Sequence, residues 1–411
     1  MKKKIIYLLQ LMTVLTFCAL TAGAAAEYRP YSEEEYTIVD NVVYELDYDK
    51  KAKEKFYKVI EFFATDEAAE AAVKVSIRSE IDGIPVREIR GITGDIEFVL
   101  AYCVDESYPN VKSISIPDSI VKIGRAAFAS LDGVEKLTIP DSVTYLSDYA
   151  CSGMKSLKTV ILSSNITSIS RDLFSQCTKL TSVKNMGKIK TISEDAFDGC
   201  ISLKSFKIPS TVETIGGGAF CNTGLTSVTV PASVTDFGSD EDEGPVFRNC
   251  KKLKKVVFAD RKAERLTIMY NTFENCISLE KVYLPKSVKK IEIMHCAFKN
   301  CKKLTKVYNT DNVTVIEGDA FRGCKSLTGF TVSSKVTKVG EKAFYGCTKL
   351  KKVTFENSKT VPSVGKKAFG KTAKGIKFVA KNKKTATALK KKIKATGIKK
   401  PNVGYVKYVK V

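Results

Sequence analysis

Cysteine recurs at a fixed place in this sequence, and thiols can form disulfides, bind metals or act as nucleophiles. The recurring thiol stands three residues after a Phe, at Cys177 (after Phe174), Cys200, Cys250, Cys276, Cys301, Cys324 and Cys347. Of the 12 cysteines, one lies in the leader described below, and the odd number that remains does not suit a disulfide framework. Met154 and Thr223 fill the same place in other repeats. We therefore interpret the position as packed rather than reactive, with a disulfide-stapled structure as the alternative.

Two other groups of residues have metal-ligand chemistry. His295, the only histidine, stands beside Cys296 and near Cys301. Because Cys301 belongs to the recurring series and no spaced Cys pairs occur, the sequence predicts no metal site there. The acidic stretch "SDEDE" at 239–243 offers carboxylates to Ca²⁺, but its spacing matches no calcium-loop template. We interpret it as a solvated loop and leave calcium binding open.

The usual enzyme classes lack their residues in this chain. There is one His, and neither a Gly-x-Ser-x-Gly nucleophile elbow nor a phosphate-binding loop occurs. Carboxylates are common, but nothing distinguishes one pair of them as catalytic. We predict that the protein is not an enzyme, with no catalytic residues and no cofactor.

The elements that position these side chains form a repeat. Its register marks are Phe128, Cys151, Phe174, Phe197, Phe220, Phe247, Phe273, Phe298, Phe321, Phe344 and Phe369. The spacing of 23 to 27 residues indicates a stacked array. Each period contains an "AFxxCxxL" piece with apolar residues at three-residue steps, then two short strands, as in "KVYLP" and "TVETIG". One repeat cannot bury its own Phe, Leu and Val, whereas stacked repeats can. The sequence predicts a repeat solenoid of about 11 turns over residues 89–370, with short parallel strands and short helical turns.

The segments "IPDSVTYLSDYACSGMKSL" and "IPSTVETIGGGAFCNTGL" resemble the BspA-type leucine-rich repeats of bacterial surface proteins. The resemblance covers residues from about 111 to 370. Cys151 departs from it by replacing Phe, and Asn185 and Asn309 stand where a buried strand residue is expected. The resemblance implies a leucine-rich-repeat-like solenoid, surface display, and adhesion to host or partner macromolecules. It implies no catalytic residues.

Both ends of a solenoid need a cover, because an open end exposes the core and a strand edge. Residues 27–88 are predicted to cap the start, with strands "YTIVDNVVYEL" and "VKVSI" on either side of a helix-like segment at 51–72. Residues 371–411 are predicted to cap the end. We expect a strand "GIKFVA", a helix "KKTATALKKKIKAT" that ends at Gly397, and a strand "NVGYVKYVKV".

The first 26 residues have the pattern of a secretory signal peptide. Three lysines precede a short apolar run, and small residues follow it in "TAGAAAE". We predict a signal peptide at 1–26 and no transmembrane span in the mature chain. The protein is then expected outside the cell, secreted or at the cell surface.

The net charge of +22 is concentrated toward the C-terminus. Residues 371–411 contain 14 Lys and no acidic residue, whereas residues 27–108 contain 20 acidic and 10 basic residues. Such a tail suits an anionic cell-wall polymer, and a cell-envelope structural component retained by this tail is our alternative function. A capping unit with a solvated Lys face explains the same residues, and both roles can hold together. Nucleic acid is not expected as a partner.

Three neighbouring repeats differ from the others on the outward side of the first strand. Their outward residues are predicted to form two columns, one of Lys255, Lys281 and Lys306 and one of Val257, Tyr283 and Tyr308. The three lengthened periods, with "GSDEDEG", "DRKAER" and "IEIMHC", occur in the same part of the chain, and their extra loops are predicted to cluster. The sequence therefore predicts a binding patch for a protein or glycan ligand. The alternative is that these are ordinary outward strand residues.

Overall fold

The computed structural model of the chain describes residues 36–39, 42–62, 73–90, 110–129, 131–238 and 244–406. The predicted signal peptide, the acidic stretch at 239–243 and Cys103 lie outside these residues. Among the described residues, no helix is long and apolar enough to cross a membrane.

The described residues form short strands with one 3₁₀ segment and one α-helix. In chain order they are β1 (Tyr36–Val39), β2 (Val42–Asp49), β3 (Glu54–Phe62), β4 (Val73–Ser76), β5 (Glu80–Ile81), β6 (Ile84–Ile89), β7 (Val111–Ser115), β8 (Lys122–Ile123), β9 (Lys136–Thr138), β10 (Tyr145–Leu146), β11 (Thr159–Ile161), β12 (Ser168–Ile169), β13 (Ser182–Lys184), β14 (Thr191–Ile192), β15 (Thr214–Ile215), β16 (Ser227–Val230), β17 (Asp236–Phe237), β18 (Lys255–Phe258), β19 (Ala263–Ile268), β20 (Lys281–Tyr283), β21 (Val288–Ile293), β22 (Lys306–Tyr308), the 3₁₀ segment Thr310–Asn312, β23 (Val313–Ile316), β24 (Gly329–Val332), β25 (Lys338–Val339), β26 (Lys352–Phe355), β27 (Ser363–Val364), β28 (Lys377–Ala380), α1 (Lys383–Ala395) and β29 (Asn402–Tyr405).

These strands stack into a parallel β-solenoid of about 12 turns, which confirms the predicted fold class. The first strands of successive turns pair in the sheets β9–β11–β13, β16–β18–β20–β22 and β24–β26–β28–β29. The second strands pair in β12–β14–β15–β17 and β19–β21–β23–β25–β27. Residues 205–208, where the repeat pattern predicts the first strand of a turn, do not form a regular strand, so the first-strand sheet is interrupted between β13 and β16.

The "AFxxCxxL" piece links the second strand of one turn to the first strand of the next. In one such piece the Cys177 N–H donates to the Phe174 carbonyl at 3.2 Å, and the Leu180 N–H donates to the Cys177 carbonyl at 3.0 Å. The Phe174 N–H donates to the Ala196 carbonyl of the following turn at 2.9 Å. The piece is thus a succession of tight turns that also hydrogen-bonds to its neighbour, and this pattern buries one apolar side chain every three residues.

The apolar residues of all turns form one continuous core. Nine Phe rings stack along it with centroids 5.2 to 5.6 Å apart: Phe174, Phe197, Phe220, Phe247, Phe273, Phe298, Phe321, Phe344 and Phe369. Cys151, which replaces Phe one turn earlier, is also fully buried. Because each of these nine turns contributes a Phe ring at the same depth, the core can extend by adding turns.

Asn185 and Asn309, which the repeat pattern places at buried strand positions, have another role. Both adopt the left-handed backbone conformation, with φ of 63° and 62°. The Asn185 amide donates to the Leu162 carbonyl at 3.1 Å, and the Asn309 amide donates to the Leu284 carbonyl at 2.8 Å. Asn tolerates this conformation better than a β-branched residue does. The first strand therefore ends before each Asn, whereas in other turns the equivalent position is a buried apolar residue.

The start of the solenoid is covered by an antiparallel meander of β1, β2 and β3. The helix-like prediction for 51–72 is wrong over Glu54–Phe62, where the chain forms β3, and residues 63–72 lie outside the described part. Val59 is fully buried and Phe56 nearly so, while β3 pairs with β2 on one side and with β6 on the other. Strand pairing with the first turn outweighs the local helical pattern, because it covers an open sheet edge.

The other end is covered by α1, which packs against β28 and β29. Asn382 caps its N-terminus by accepting from the Thr385 N–H at 2.9 Å, and the chain leaves the helix at Gly397, whose φ is 105°. Leu389 and Ile393 are fully buried against the last turns. The lysines at 383, 384, 390, 391 and 394 are exposed, so the helix is a cap with a basic outer face.

Candidate binding face

The predicted binding residues lie side by side on the sheet β16–β18–β20–β22. The parallel register aligns them in the two predicted columns, Lys255 with Lys281 and Lys306, and Val257 with Tyr283 and Tyr308. Val256, Val282 and Val307 alternate with them and are buried. The alternation puts the six residues on the outer side of the sheet, where they form what we call the Lys–Tyr face.

Two tyrosines form the apolar part of the Lys–Tyr face. The rings of Tyr283 and Tyr308 stack with centroids 4.5 Å apart and planes inclined by 3°. The Lys255 Nζ lies 5.4 Å from the Tyr283 ring centroid, and the Lys306 Nζ lies 4.6 Å from that of Tyr308. Both rings are half-buried, so little side-chain freedom remains to be lost when a ligand packs on them.

The lysines of the face are exposed, and no carboxylate within the described residues forms a salt bridge with them. Some lysines elsewhere on the solenoid pair with acidic residues of the neighbouring turn. The Lys158 Nζ lies 2.8 Å from Glu135, for example. Three ammonium groups on strands about 4.8 Å apart repel one another. An anionic group bound across them would relieve that repulsion.

An open groove of about 430 Å³ lies beside the face, where β18 and β20 end. Pro285 is among the apolar residues of its lining, and polar groups come from Lys255, Asp260, Tyr283, Lys286 and Asn309. A groove with an aromatic wall and a few basic and amide groups suits an extended polar ligand better than a compact apolar one.

One rim of the groove is held by Asp260. Its Oδ1 accepts from the backbone N–H groups of Lys286 and Ser287, both at 2.8 Å, and its Oδ2 accepts from the Ser287 hydroxyl at 2.8 Å. These hydrogen bonds hold the pKa of Asp260 below its ordinary value, and the bond from the Ser287 N–H contributes most to the lowering. The carboxylate therefore stays ionised and positions the backbone that follows β20.

The sequence does not single out Asp260, Lys286 and Asn309 as site residues. Each stands one to three residues after the end of a first strand, and this shared position in the repeat could have identified them as site residues.

The predicted loop cluster is wrong for two of the three lengthened periods. Part of their extra residues lengthens the second strands to six residues, Ala263–Ile268 and Val288–Ile293, instead of forming loops. The third, at 239–243, lies outside the described residues.

The repeat corresponds to a known family. A family model described as the BspA type leucine-rich repeat region matches six copies, within residues 101–216, 169–292 and 266–392. The chain belongs to the BspA-type leucine-rich repeat family. Membership confirms the resemblance stated from the sequence, and the family and fold are those of repeat-protein scaffolds.

Three solved structures are similar to this BspA-type chain. A leucine-rich repeat protein from Bacteroides ovatus is 22% identical, with 90% of this chain and 100% of that one covered and a TM-score of 0.59. A leucine-rich cell surface protein from Faecalibacterium prausnitzii is 18% identical, with 93% and 97% covered and a TM-score of 0.44. The pneumococcal vaccine antigen PcpA is 17% identical, with 91% and 99% covered and a TM-score of 0.47. Comparison with curated proteins gives no match. The likeness to the Bacteroides ovatus protein supports the solenoid fold.

The recurring cysteines of the BspA-type repeat act in the core. Each of the seven donates from Sγ to a backbone carbonyl one turn earlier, at 3.0 to 3.1 Å, as Cys324 does to Phe298. The ten described cysteines are free and buried. Burial raises the pKa of Cys177 and of Cys347 to about 12, so these thiols stay protonated at neutral pH. The sequence predicts the packing, but not the hydrogen bond that makes a thiol suit this place.

Acidic residues gather on two neighbouring turns of the BspA-type array. Burial raises the pKa of Asp195 to about 7, and the nearby charges of Asp172 and Asp198 add to the effect. The Asp195 carboxylate lies over the next turn, and a Cβ added at Gly218 would be 1.7 Å from its Oδ1. The group is therefore a cost to the fold at neutral pH rather than a binding site.

We expect Asp195→Asn to stabilise the protein at pH 8 and to have little effect near pH 4. The folded chain holds the proton more tightly than the unfolded chain, whose Asp has a pKa near 3.8. Stability is therefore lost as the pH rises from about 4 to 7, and the amide removes that loss. After allowance for solvent screening we expect a gain of about 1 kcal/mol at pH 8. Asn also suits the φ of 50° at this position.

The measurement is the midpoint of urea unfolding at pH 8 and pH 4. Asp141→Asn is the matched control, because the hydrogen bond from the Ser164 N–H lowers the pKa of Asp141. Replacing this carboxylate should therefore destabilise the protein at pH 8. Equal shifts for the two variants at pH 8 would contradict the prediction.

Proposed function

We propose that this protein is an exported binding protein that uses the Lys–Tyr face and its groove to hold an anionic protein or glycan ligand. The observation that carries the proposal is the stacked pair Tyr283 and Tyr308 beside three exposed lysines without acidic partners among the described residues. Membership in the BspA-type family supports binding or adhesion as the general role.

The chemistry of the face favours an acidic glycan or an acidic peptide. The ring pair offers a flat surface against which a sugar or an aromatic side chain can pack, and the lysine column attracts carboxylate or sulfate groups along one direction. The face is open and rigid, since its strands belong to a stacked sheet of four. Export is proposed from the signal-peptide pattern at residues 1–26.

A second candidate function is retention on an anionic wall polymer through the C-terminal cap. The observation in its favour is the basic outer face of α1, which carries exposed lysines and has no acidic residue in its first turn. Lys392 is different, because its Nζ donates to the carbonyls of Val361 and Pro362 at 2.8 and 3.0 Å and so holds the cap in place. Deleting the whole segment would remove the cap as well as the charge.

One experiment tests both functions. The mature protein is screened for binding to acidic and neutral glycans, to poly-glutamate and to poly(glycerol phosphate). We expect Tyr283→Ala with Tyr308→Ala to weaken binding to the best acidic probe by about tenfold or more, because the contact area of two aromatic anchors is lost. Tyr145→Ala, at a half-exposed tyrosine on a second strand, is the control and should bind normally.

The outcome that favours the second function has a different pattern. A variant that removes charge from the exposed side of α1 combines Lys384→Gln, Lys390→Gln, Lys391→Gln and Lys394→Gln. It leaves Lys392 and the buried Leu389 and Ile393 intact. Loss of poly(glycerol phosphate) binding in this variant, with the tyrosine variant unaffected on every probe, would assign attachment to the cap. Unchanged binding of the tyrosine variant to all acidic probes would refute the Lys–Tyr face.

A further inference from the structure

Three side chains with metal-ligand chemistry converge outside the Lys–Tyr face. His295 and Cys296 follow β21, and Asp319 follows β23 in the next turn. A ring nitrogen of His295, the Sγ of Cys296 and a carboxylate oxygen of Asp319 all lie within 4.8 Å of one another. The stacked rings of Phe298 and Phe321, 5.2 Å apart, set the distance between these two turns.

Cys296 does not belong to the recurring series of packed cysteines. It stands two residues before a Phe rather than three residues after one, and its φ is 58°. Asp195, Asp319 and Lys342 occupy the equivalent place in other turns, also with positive φ, so the place suits polar side chains. The Cys296 thiol is buried, yet unlike the series it donates no hydrogen bond within the described part of the chain. A hydrogen bond to the preceding turn therefore does not account for a thiol here.

The imidazole of His295 reaches across to the following turn. Its Nδ1 lies 3.1 Å from the point where a Cβ of Gly318 would stand. A side chain at position 318 would contact the imidazole too closely, whereas glycine leaves space for the ring beside Asp319. His295 is exposed, so an ion held here would be open to solvent on one side.

The basic residues nearby already have acidic partners. Arg322 Nη1 lies 3.3 Å from Oδ1 of Asp319, which leaves the second carboxylate oxygen for another contact. The Lys299 Nζ lies 2.8 Å from Glu274. A cation beside Cys296 would therefore meet a carboxylate and a thiolate without displacing either ion pair.

We propose that His295, Cys296 and Asp319 together bind one divalent transition-metal ion of the zinc type. The sequence predicts no metal site at His295, because the Cys301 that follows it belongs to the packed series. The fold keeps Cys301 in that series, where its Sγ donates to the Phe273 carbonyl at 3.1 Å, and brings Asp319 from the next turn as the third ligand.

The donor set and its spacing fit that class of ion. An imidazole nitrogen, a thiolate and a carboxylate are ligands that zinc accepts together, whereas Ca²⁺ and Mg²⁺ prefer oxygen alone. Two ligands on a tetrahedral zinc ion lie about 3.5 Å apart, so the three side chains need to close by about 1 Å. On binding, the thiol gives its proton to the buffer. Three protein ligands leave one position for water or a group from a partner.

The test titrates the metal-free full chain with Co²⁺ and Zn²⁺. Co²⁺ reports the donor atoms, because bonding to a thiolate produces a charge-transfer absorption band. We expect one equivalent of Co²⁺ to bind with such a band, Zn²⁺ to displace it, and Zn²⁺ to raise the thermal midpoint of the chain. Cys296→Ser should abolish the band, and His295→Gln and Asp319→Asn should weaken binding by at least about tenfold.

Asp311→Asn, at an exposed aspartate outside the cluster, is the matched control and should bind as the parent does. Circular dichroism checks that each variant is folded. His295→Gln is the variant least expected to disturb the fold, because His295 is exposed. Absence of a thiolate band in the parent, or a band that persists in Cys296→Ser, would overturn the proposal. A band lost in Cys296→Ser but unchanged in both His295→Gln and Asp319→Asn would overturn it too.

Discussion

Replacing Phe197 with alanine is expected to lower the free energy of unfolding by about 3–5 kcal/mol. The ring is fully buried and stacks between Phe174 and Phe220, with centroids 5.6 and 5.4 Å away. Phe206 packs against the same ring at 5.0 Å. The cavity left by alanine would be lined by rings that their own neighbours hold in place, so it cannot close.

Denaturant unfolding followed by circular dichroism measures this loss. Ile201→Ala is the control within the same turn, because Ile201 is 54% exposed and its truncation should change stability by less than about 0.5 kcal/mol. Phe197→Leu should lie between the two. Since each turn is stabilised by its neighbours, the alanine variant is also expected to uncouple the two halves of the array and broaden the transition. Equal stability of Phe197→Ala and Ile201→Ala would contradict a continuous core.

Gly340→Ala is expected to destabilise the protein by about 2–3 kcal/mol. An added Cβ would lie 2.4 Å from the backbone nitrogen of Gly318 and 2.5 Å from the carbonyl carbon of Glu317, both in the preceding turn. Gly365 repeats the arrangement one turn later, 2.4 Å from the backbone nitrogen of Glu341. The contact is between backbones, so no side chain can rotate to relieve it and the two turns must separate.

The same unfolding assay compares Gly340→Ala with Gly187→Ala. A Cβ at Gly187 meets nothing within 4 Å, and its substitution should be neutral or slightly stabilising because it restricts the unfolded chain. A Gly340→Ala variant as stable as Gly187→Ala would show that the turns are not packed backbone to backbone at this position.

The placement of the Lys–Tyr face followed from the sequence, because strand alternation and repeat spacing are both local properties. Once Val256 and Val282 are assigned to the core, Tyr283 must lie outside, and equal spacing then aligns it with Tyr308. Whether this face binds a ligand stays a prediction. The groove beside it was not predictable in this way, because its rim depends on how Asp260 hydrogen-bonds to Ser287 of another turn.

Local patterns were misleading where an element meets something distant in sequence. The segment at 54–62 has a helical pattern, but it forms β3 because an open edge at β6 is available to pair with it. The extra residues at 260–265 suggest a loop, yet part of them joins β19, which pairs with β21 over five residues. In both cases the deciding contact comes from another part of the chain.

The repeat, its period, the buried Phe, Cys and Leu positions and the outward columns could all be predicted, since each follows from spacing within two dozen residues. Which side chains of different turns come within reach of each other became visible in the folded chain alone. Stacking placed Asp319 beside Cys296, the Cys324 thiol on the Phe298 carbonyl, and Asp195 over Gly218. The physical reason is that these contacts depend on the rise and the lateral offset between turns, which the packed core sets and which no single repeat encodes.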